Sequence, residues 1–157
     1  MSFFFLQLHH FKKIIQTYTM TAVNYIHHQL LFEVGIWKKE IEKIQVDNFD
    51  MKNQLIFLLQ KLNGKELLES LEKYQTLFLM QDRLIEILRN DVFLQSGSLN
   101  MGIPENINRY RAKQIKMHKK IRDEINFCEK ETIIIKEAFN VFVENYHSNT
   151  KKQSFDS

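Results

Sequence analysis

A chain of 157 residues with four glycines, one proline and one cysteine has the length of one domain and too few turn formers for a sandwich or barrel, and it excludes an intrachain disulfide. Hydrophobic residues at 44% and charged residues at 26% are ordinary for a globular chain. A formal charge of +3 demands neither nucleic acid nor an anionic membrane, and no apolar run approaches the roughly 18 residues of a membrane-spanning helix, so a cytoplasmic protein is expected.

The opening MSFFFLQLHHFKK has an apolar run at residues 3–6 but no basic residue before it and no small-residue cleavage site after it, which argues against a secretory signal. Residues 1–19 show neither a capped helix nor a strand pattern, and Met20 stands just before the first regular periodicity. They are expected to be a disordered extension or a start-site artefact, with translation beginning at Met20 and the domain covering residues 20–147. The polar tail SNTKKQSFDS, residues 148–157, is expected to fray.

From Leu30 the apolar positions run Val34, Trp37, Ile41, Ile44, Met51, Leu55, Leu58 and Leu62, alternating steps of four and three if Asn48 fills the gap. This predicts a helix over 22–62, stopped by Asn63-Gly64. Leu67, Leu71, Tyr74, Phe78, Gln81, Ile85, Leu88 and Val92 repeat the pattern and predict a second helix over 66–94. QSGSLNMGIP, residues 95–104, then reads as a loop, with Pro104 at the next first turn. A third helix over 104–147 carries Ile107, Arg111, Gln114, His118, Ile121, Ile125, Cys128, Thr132, Ile135, Phe139, Phe142 and Tyr146. The fold class is all-α: an antiparallel bundle of three long coiled-coil-like helices, alone or completed by dimerisation.

A tight first turn pairs Leu58 with Leu71, Met51 with Phe78, Ile44 with Ile85 and Trp37 with Val92, which sets Asn48 opposite Gln81. A hydrogen-bonded Asn48–Gln81 layer costs stability but pins register. For the third helix the simplest turn places His118 beside that layer and leaves Ile135–Tyr146 overhanging. A slide of one heptad covers the apolar end and removes His118 from the layer, as burial favours. A dimer covering the overhang is the alternative.

The spacings of chemistry are sparse. Glu-x-x-His occurs once, at Glu144–His147, whereas a di-iron bundle needs it on two helices. His27 and His28 diverge by about 100° on a helix and cannot serve one site. Cys128 falls on the seam, where a thiol is a small hydrophobe with a raised pKa. No nucleophile elbow, P-loop or dinucleotide fingerprint is present. No enzyme, cofactor or metal is expected. His27, Glu33 and His118 are the polar candidates if the bundle binds a small ligand or metal.

Two stretches stand out. RYRAKQIKMHKKIR, residues 109–122, carries Arg109, Arg111, Lys113, Lys116, Lys119, Lys120 and Arg122 with no acidic residue. Such a row can bind nucleic acid weakly; pairing with Asp82, Glu86, Asp91, Glu33 and Glu40 is the plainer expectation. IIIKEAFNVFVENY, residues 133–146, shows apolar groups on more than one side, which makes Ile134, Phe139, Phe142 and Val143 candidate interface residues.

Residues 27–92 read H-x2-LL-x-E-x3-W-x2-EI, then LEKYQTLFLMQDRLIEILRNDV. This resembles a group of uncharacterised all-helical bacterial proteins, mainly of Bacteroidetes, with an early His, a Trp and an F-x-x-Q-type second helix. The likeness would extend to about residue 146. It implies a helical bundle and supplies no activity or site residue. The expected function is non-enzymatic, through an unknown protein partner or a homodimer. Small-ligand or metal binding is the alternative, and weak nucleic-acid binding the third.

Overall fold

The computed structural model describes residues 2–61, 65–102 and 107–155, with side chains over 10–60, 67–102 and 107–148 apart from 11 and 19. Three helices account for nearly all of it: α1 (Ser2–Lys61), α2 (Lys65–Asn100) and α3 (Ile107–Phe155). Each packs on the other two, and among the described residues there is no strand. The protein is an all-α bundle.

The four-three seams are what bury. α1 contributes Leu30, Val34, Trp37, Ile41, Ile44, Asn48, Met51, Leu55 and Leu58, α2 contributes Leu71, Phe78, Gln81, Ile85, Leu88, Val92, Gln95 and Leu99, and α3 contributes Gln114, His118, Ile121, Ile125, Cys128, Thr132 and Phe139. Flanking polar pairs fix the directions. Lys52 reaches Asp82 at 2.8 Å and Arg89 reaches Gln45 at 3.3 Å; seven residues forward on α1 is seven backward on α2, so this pair is antiparallel. Glu33 meets Arg122 and Asp47 meets Lys136, fourteen residues apart on both helices, so α1 and α3 run parallel. Heptad edges pair this way in coiled coils.

Asn48 and Gln81 are both buried, as expected, but they do not bond one another. The Asn48 amide donates to Phe78 O at 3.1 Å and Asp82 Oδ1 at 2.7 Å. The Gln81 amide turns to α3, donating to Thr132 Oγ1 and, at 3.4 Å, to Cys128 O. A third helix explains the difference: each amide spans a different helix pair, so the layer ties all three together.

Thr132, not His118, is thus level with Gln81. The third helix lies two heptads from the simplest-turn register, twice the anticipated slide. Phe139 then packs with Met51, Leu55, Leu58, Leu71 and Phe78, with Ile135, Phe142, Val143 and Tyr146 around them. The seam positions of the apolar end of α3 are covered within the chain.

The helix ends also differ from expectation. α1 begins at Ser2, so the leading segment is helical. Its described side chains are exposed, and among the described side chains Val23 is the first buried one. α2 continues through the anticipated loop to Asn100 because Gln95 and Leu99 extend its buried seam, and packing overrides the low propensity of Ser96-Gly97-Ser98. Gly102, at φ +83°, closes it, with its N–H donating to Leu99 O at 3.1 Å in the left-handed conformation that favours glycine. α3 runs to Phe155, through the tail expected to fray. The Asn63-Gly64 stop and Pro104 lie outside the described residues.

Candidate functional site

The end of the bundle where α2 finishes and α3 starts, here the upper end, holds the buried polar groups. His118 is nearly fully buried on α3, its ring 4.0 Å from that of Trp37 and tilted by 40°. Its Nε2 lies 2.8 Å from Glu33 Oε2, which Arg122 also grips. Burial lowers the His118 pKa, against the hydrogen bond and charge of Glu33. Burial would raise Glu33, but hydrogen bonds and charge from Arg122 and His118 outweigh it and hold the carboxyl below its usual value. The imidazole is therefore neutral near pH 7, with Nε2–H donating to the carboxylate. That leaves Nδ1 as a buried acceptor without a partner, where a second proton would find no acceptor.

Of the three polar candidates, Glu33 and His118 meet. His27 does not join them: its Nδ1 lies 3.4 Å from the Tyr110 hydroxyl. With a guanidinium already on Glu33, the pair is a poor cation site. Among the described residues no three His, Cys, Asp or Glu side chains gather as metal ligands would. Cys128 is buried, and burial raises its thiol pKa, the setting of an inert cysteine.

Beside this cluster, a cavity of about 460 Å³ opens between α2 and α3, walled by Leu94, Met117 and the stems of Lys113, Lys116 and Lys120. Its floor carries Gln95, Gln114 and Ser98. Gln114 donates to Ser98 Oγ at 2.6 Å, while Gln95 Nε2 and Gln114 Oε1 are buried without partners. Of the basic row, Lys120 pairs with Asp91 at 2.9 Å and with Glu124 at 3.5 Å, and Arg122 with Glu33. Asp82 serves Lys52 of α1 instead. Lys113, Lys116, Lys119 and Arg111 are exposed, so the row is partly neutralised and divided over several faces.

The anticipated interface is largely interior. Phe139 is fully buried, and Phe142 and Val143 are half-buried against the lower core; only Ile134 faces out. Yet Ile134 belongs to a surface the sequence reading missed. On α2 and in the turn that ends it, Met80, Ile87, Leu94 and Met101 recur every seven residues, and on α3 so do Phe127, Ile134 and Val141; all seven are between 55% and 84% exposed. The α2–α3 register set by Gln81–Thr132 and Gln114–Ser98 brings Met80 level with Ile134 and Ile87 level with Phe127. Half-buried Leu77 and Leu84 continue the apolar strip inward. The signal was available, since Leu77, Met80, Leu84 and Ile87 repeat the four-three step on a second face of α2.

On α1, Tyr18, Tyr25, Phe32 and Val46 share one seven-residue line broken at Lys39, and Ile36, Phe49, Ile56, Phe57 and Leu59 are spread on either side of it. The geometry thus defines a three-helix bundle whose α2–α3 face carries apolar stripes on two adjacent helices. No protein family matches the chain, and no curated protein or solved structure is similar to it. Among the described residues no helix is long and apolar enough to cross a membrane.

Proposed function

We propose that the protein is a non-enzymatic helical bundle that acts by docking protein on its outer α2–α3 face. The observation that carries this reading is the pair of seven-residue apolar stripes on adjacent helices. Helices that face only water do not maintain such stripes, and contiguous apolar surface of this extent marks an interaction site. A photo-reactive amino acid at position 87 should trap a discrete protein adduct in cells expressing the full chain, and one at Asn53, on the outer face of α1, should not. No adduct from position 87 would remove the reading.

A second reading, a bundle that binds a small amphipathic anion, draws on the unpartnered Gln95 and Gln114 atoms in the floor of the cavity and on Lys113 and Lys116 at its walls. A medium-chain fatty acid should then raise the melting temperature of the wild type and not of a Leu94→Trp variant that fills the cavity. Equal shifts, or none, would reject it.

A further inference from the structure

Resting on the docking reading above, we infer that the occupant of the α2–α3 face is a second copy of this chain, related by a two-fold axis perpendicular to the helices at the level of Ile87 and Phe127. Three features of the surface converge on that arrangement.

The first is charge. α3 is electrically divided: Arg109 to Arg122 holds seven basic and no acidic residues, whereas residues 123–147 hold six acidic ones against Lys130 and Lys136. A two-fold perpendicular to the helices lays each α3 antiparallel on its copy, basic half on acidic half. About a centre at Phe127, Lys116 comes beside Glu137 of the second copy and Arg109 comes near Glu144. A two-fold parallel to the helices would instead lay α3 on α2 of the second copy and bring the two basic halves to the same level, without the basic-on-acidic match. Lys116 and Glu137 are 21 residues apart on one helix, roughly 30 Å, so they cannot meet within a chain.

The second is shape. The same axis lays α2 on its copy, with Met80 facing Leu94 and Ile87 facing Ile87. It also carries Ile134 and Val141 of the second copy to the level of Lys120 and Lys113, over the mouth of the 460 Å³ cavity. The upper half of the face is recessed, with aliphatic lysine stems around the recess, and the lower half presents the exposed apolar side chains of Met80, Ile134 and Val141. Each half of the face is therefore fitted to the other.

The third is area. Burying the seven stripe side chains removes on the order of 700 Å² from each copy, close to the ~800 Å² per partner of a stable interface. On α1 the corresponding line, Tyr18, Tyr25, Phe32 and Val46, lies on one helix only and is broken at Lys39.

Light scattering of the purified full chain is expected to give twice 19.0 kDa, and Phe127→Glu is expected to give the single-chain mass with unchanged helical circular dichroism. Lys116→Glu and Glu137→Lys should each weaken dimerisation about ten-fold, and the double variant should restore it, a rescue that only an antiparallel contact between copies produces. Ile87→Cys should oxidise to a covalent dimer, and Met101→Cys should not. A wild type that stays at the single-chain mass at 0.1 mM overturns the inference, as does a double reversal no better than the single ones. If the wild type is monomeric while position 87 still traps a different protein in cells, the second copy falls and the docking reading stands. If position 87 is silent everywhere, both fall.

Discussion

The layer of Asn48, Gln81 and Thr132 divides the bundle into two unlike halves. Below it, Met51, Leu55, Leu58, Leu71, Phe78 and Phe139 form an aromatic-rich core, in which the rings of Phe78 and Phe139 meet edge-on at 5.2 Å. Tyr74 packs on both Phe139 and Phe142 and donates its hydroxyl to Ala138 O at 3.0 Å. Above the layer, the apolar cluster from Leu30 to Cys128 is interrupted by Gln95, Gln114 and His118, each with a buried atom lacking a partner. Among the described residues, the lower core holds no unpartnered polar atom. The upper half gives up some stability, and it is there that the cavity and the basic row occur. Unsatisfied buried polar atoms cost free energy, and they persist where stability is not the only demand on a structure.

The largest test of this contrast is to delete matched groups in the two halves. Phe139→Ala should cost about 3–5 kcal/mol, the usual range for a fully buried ring whose cavity cannot collapse. Gln95→Leu in the upper half should instead be neutral or stabilising, since it removes an amide whose nitrogen has no partner. Urea unfolding measures both. Equal losses would mean that the halves do not differ in how they are built.

A smaller effect is expected at the dividing layer. Asn48→Leu with Gln81→Leu should raise stability by about 1–2 kcal/mol, as replacements of buried polar groups by apolar ones do. Asp82 keeps Lys52, and Thr132 keeps its bond to Cys128 O at 2.8 Å, so no strong donor is abandoned. The gain should come with looser register, seen as broadened NMR signals or faster amide exchange on α3. A large loss of stability instead would show that the layer holds the fold up and does more than align it.

Much of this architecture was legible because the seams of α1, α2 and α3 keep a strict four-three alternation, which burial rewards position by position. The α1–α2 register followed from the same alternation and a tight turn. Three things were hidden. The register of α3 depends on a connection whose length does not determine how far the helix slides; only the burial of Ile135–Tyr146 against the lower core decides it. The continuation of α2 past Leu94 was masked by Ser96, Gly97 and Ser98, residues of low helix propensity that Gln95 and Leu99 carry along. The site was half-visible: Glu33 and His118 could be named from their positions, but their meeting needed the two-heptad slide. Phe139 was read as an interface residue because an apolar run on several sides of a helix looks the same whether another chain or its own bundle covers it.

The last and smallest effect separates the halves by pH. His118 has a folded pKa below its ordinary 6.5 because burial disfavours the charged ring. As pH falls through 6.5 the unfolded chain takes up this proton first, so stability declines from there down to the folded pKa, by no more than one proton's worth. Glu33, with a folded pKa below its ordinary 4.5, contributes stability that is complete above 4.5 and lost as pH falls through its lower folded value. His118→Gln keeps a donor for Glu33 and cannot titrate. The wild type should therefore lose stability between pH 7 and pH 5 while the Gln variant holds nearly level, and both should decline together once Glu33 protonates. Hydrogen exchange should locate the early loss: amides around Trp37 and His118 open more readily at pH 5, and those around Phe78 and Phe139 keep their protection. Parallel curves for wild type and variant would mean that His118 is not the group responsible, and uniform opening would mean that the two halves unfold as one.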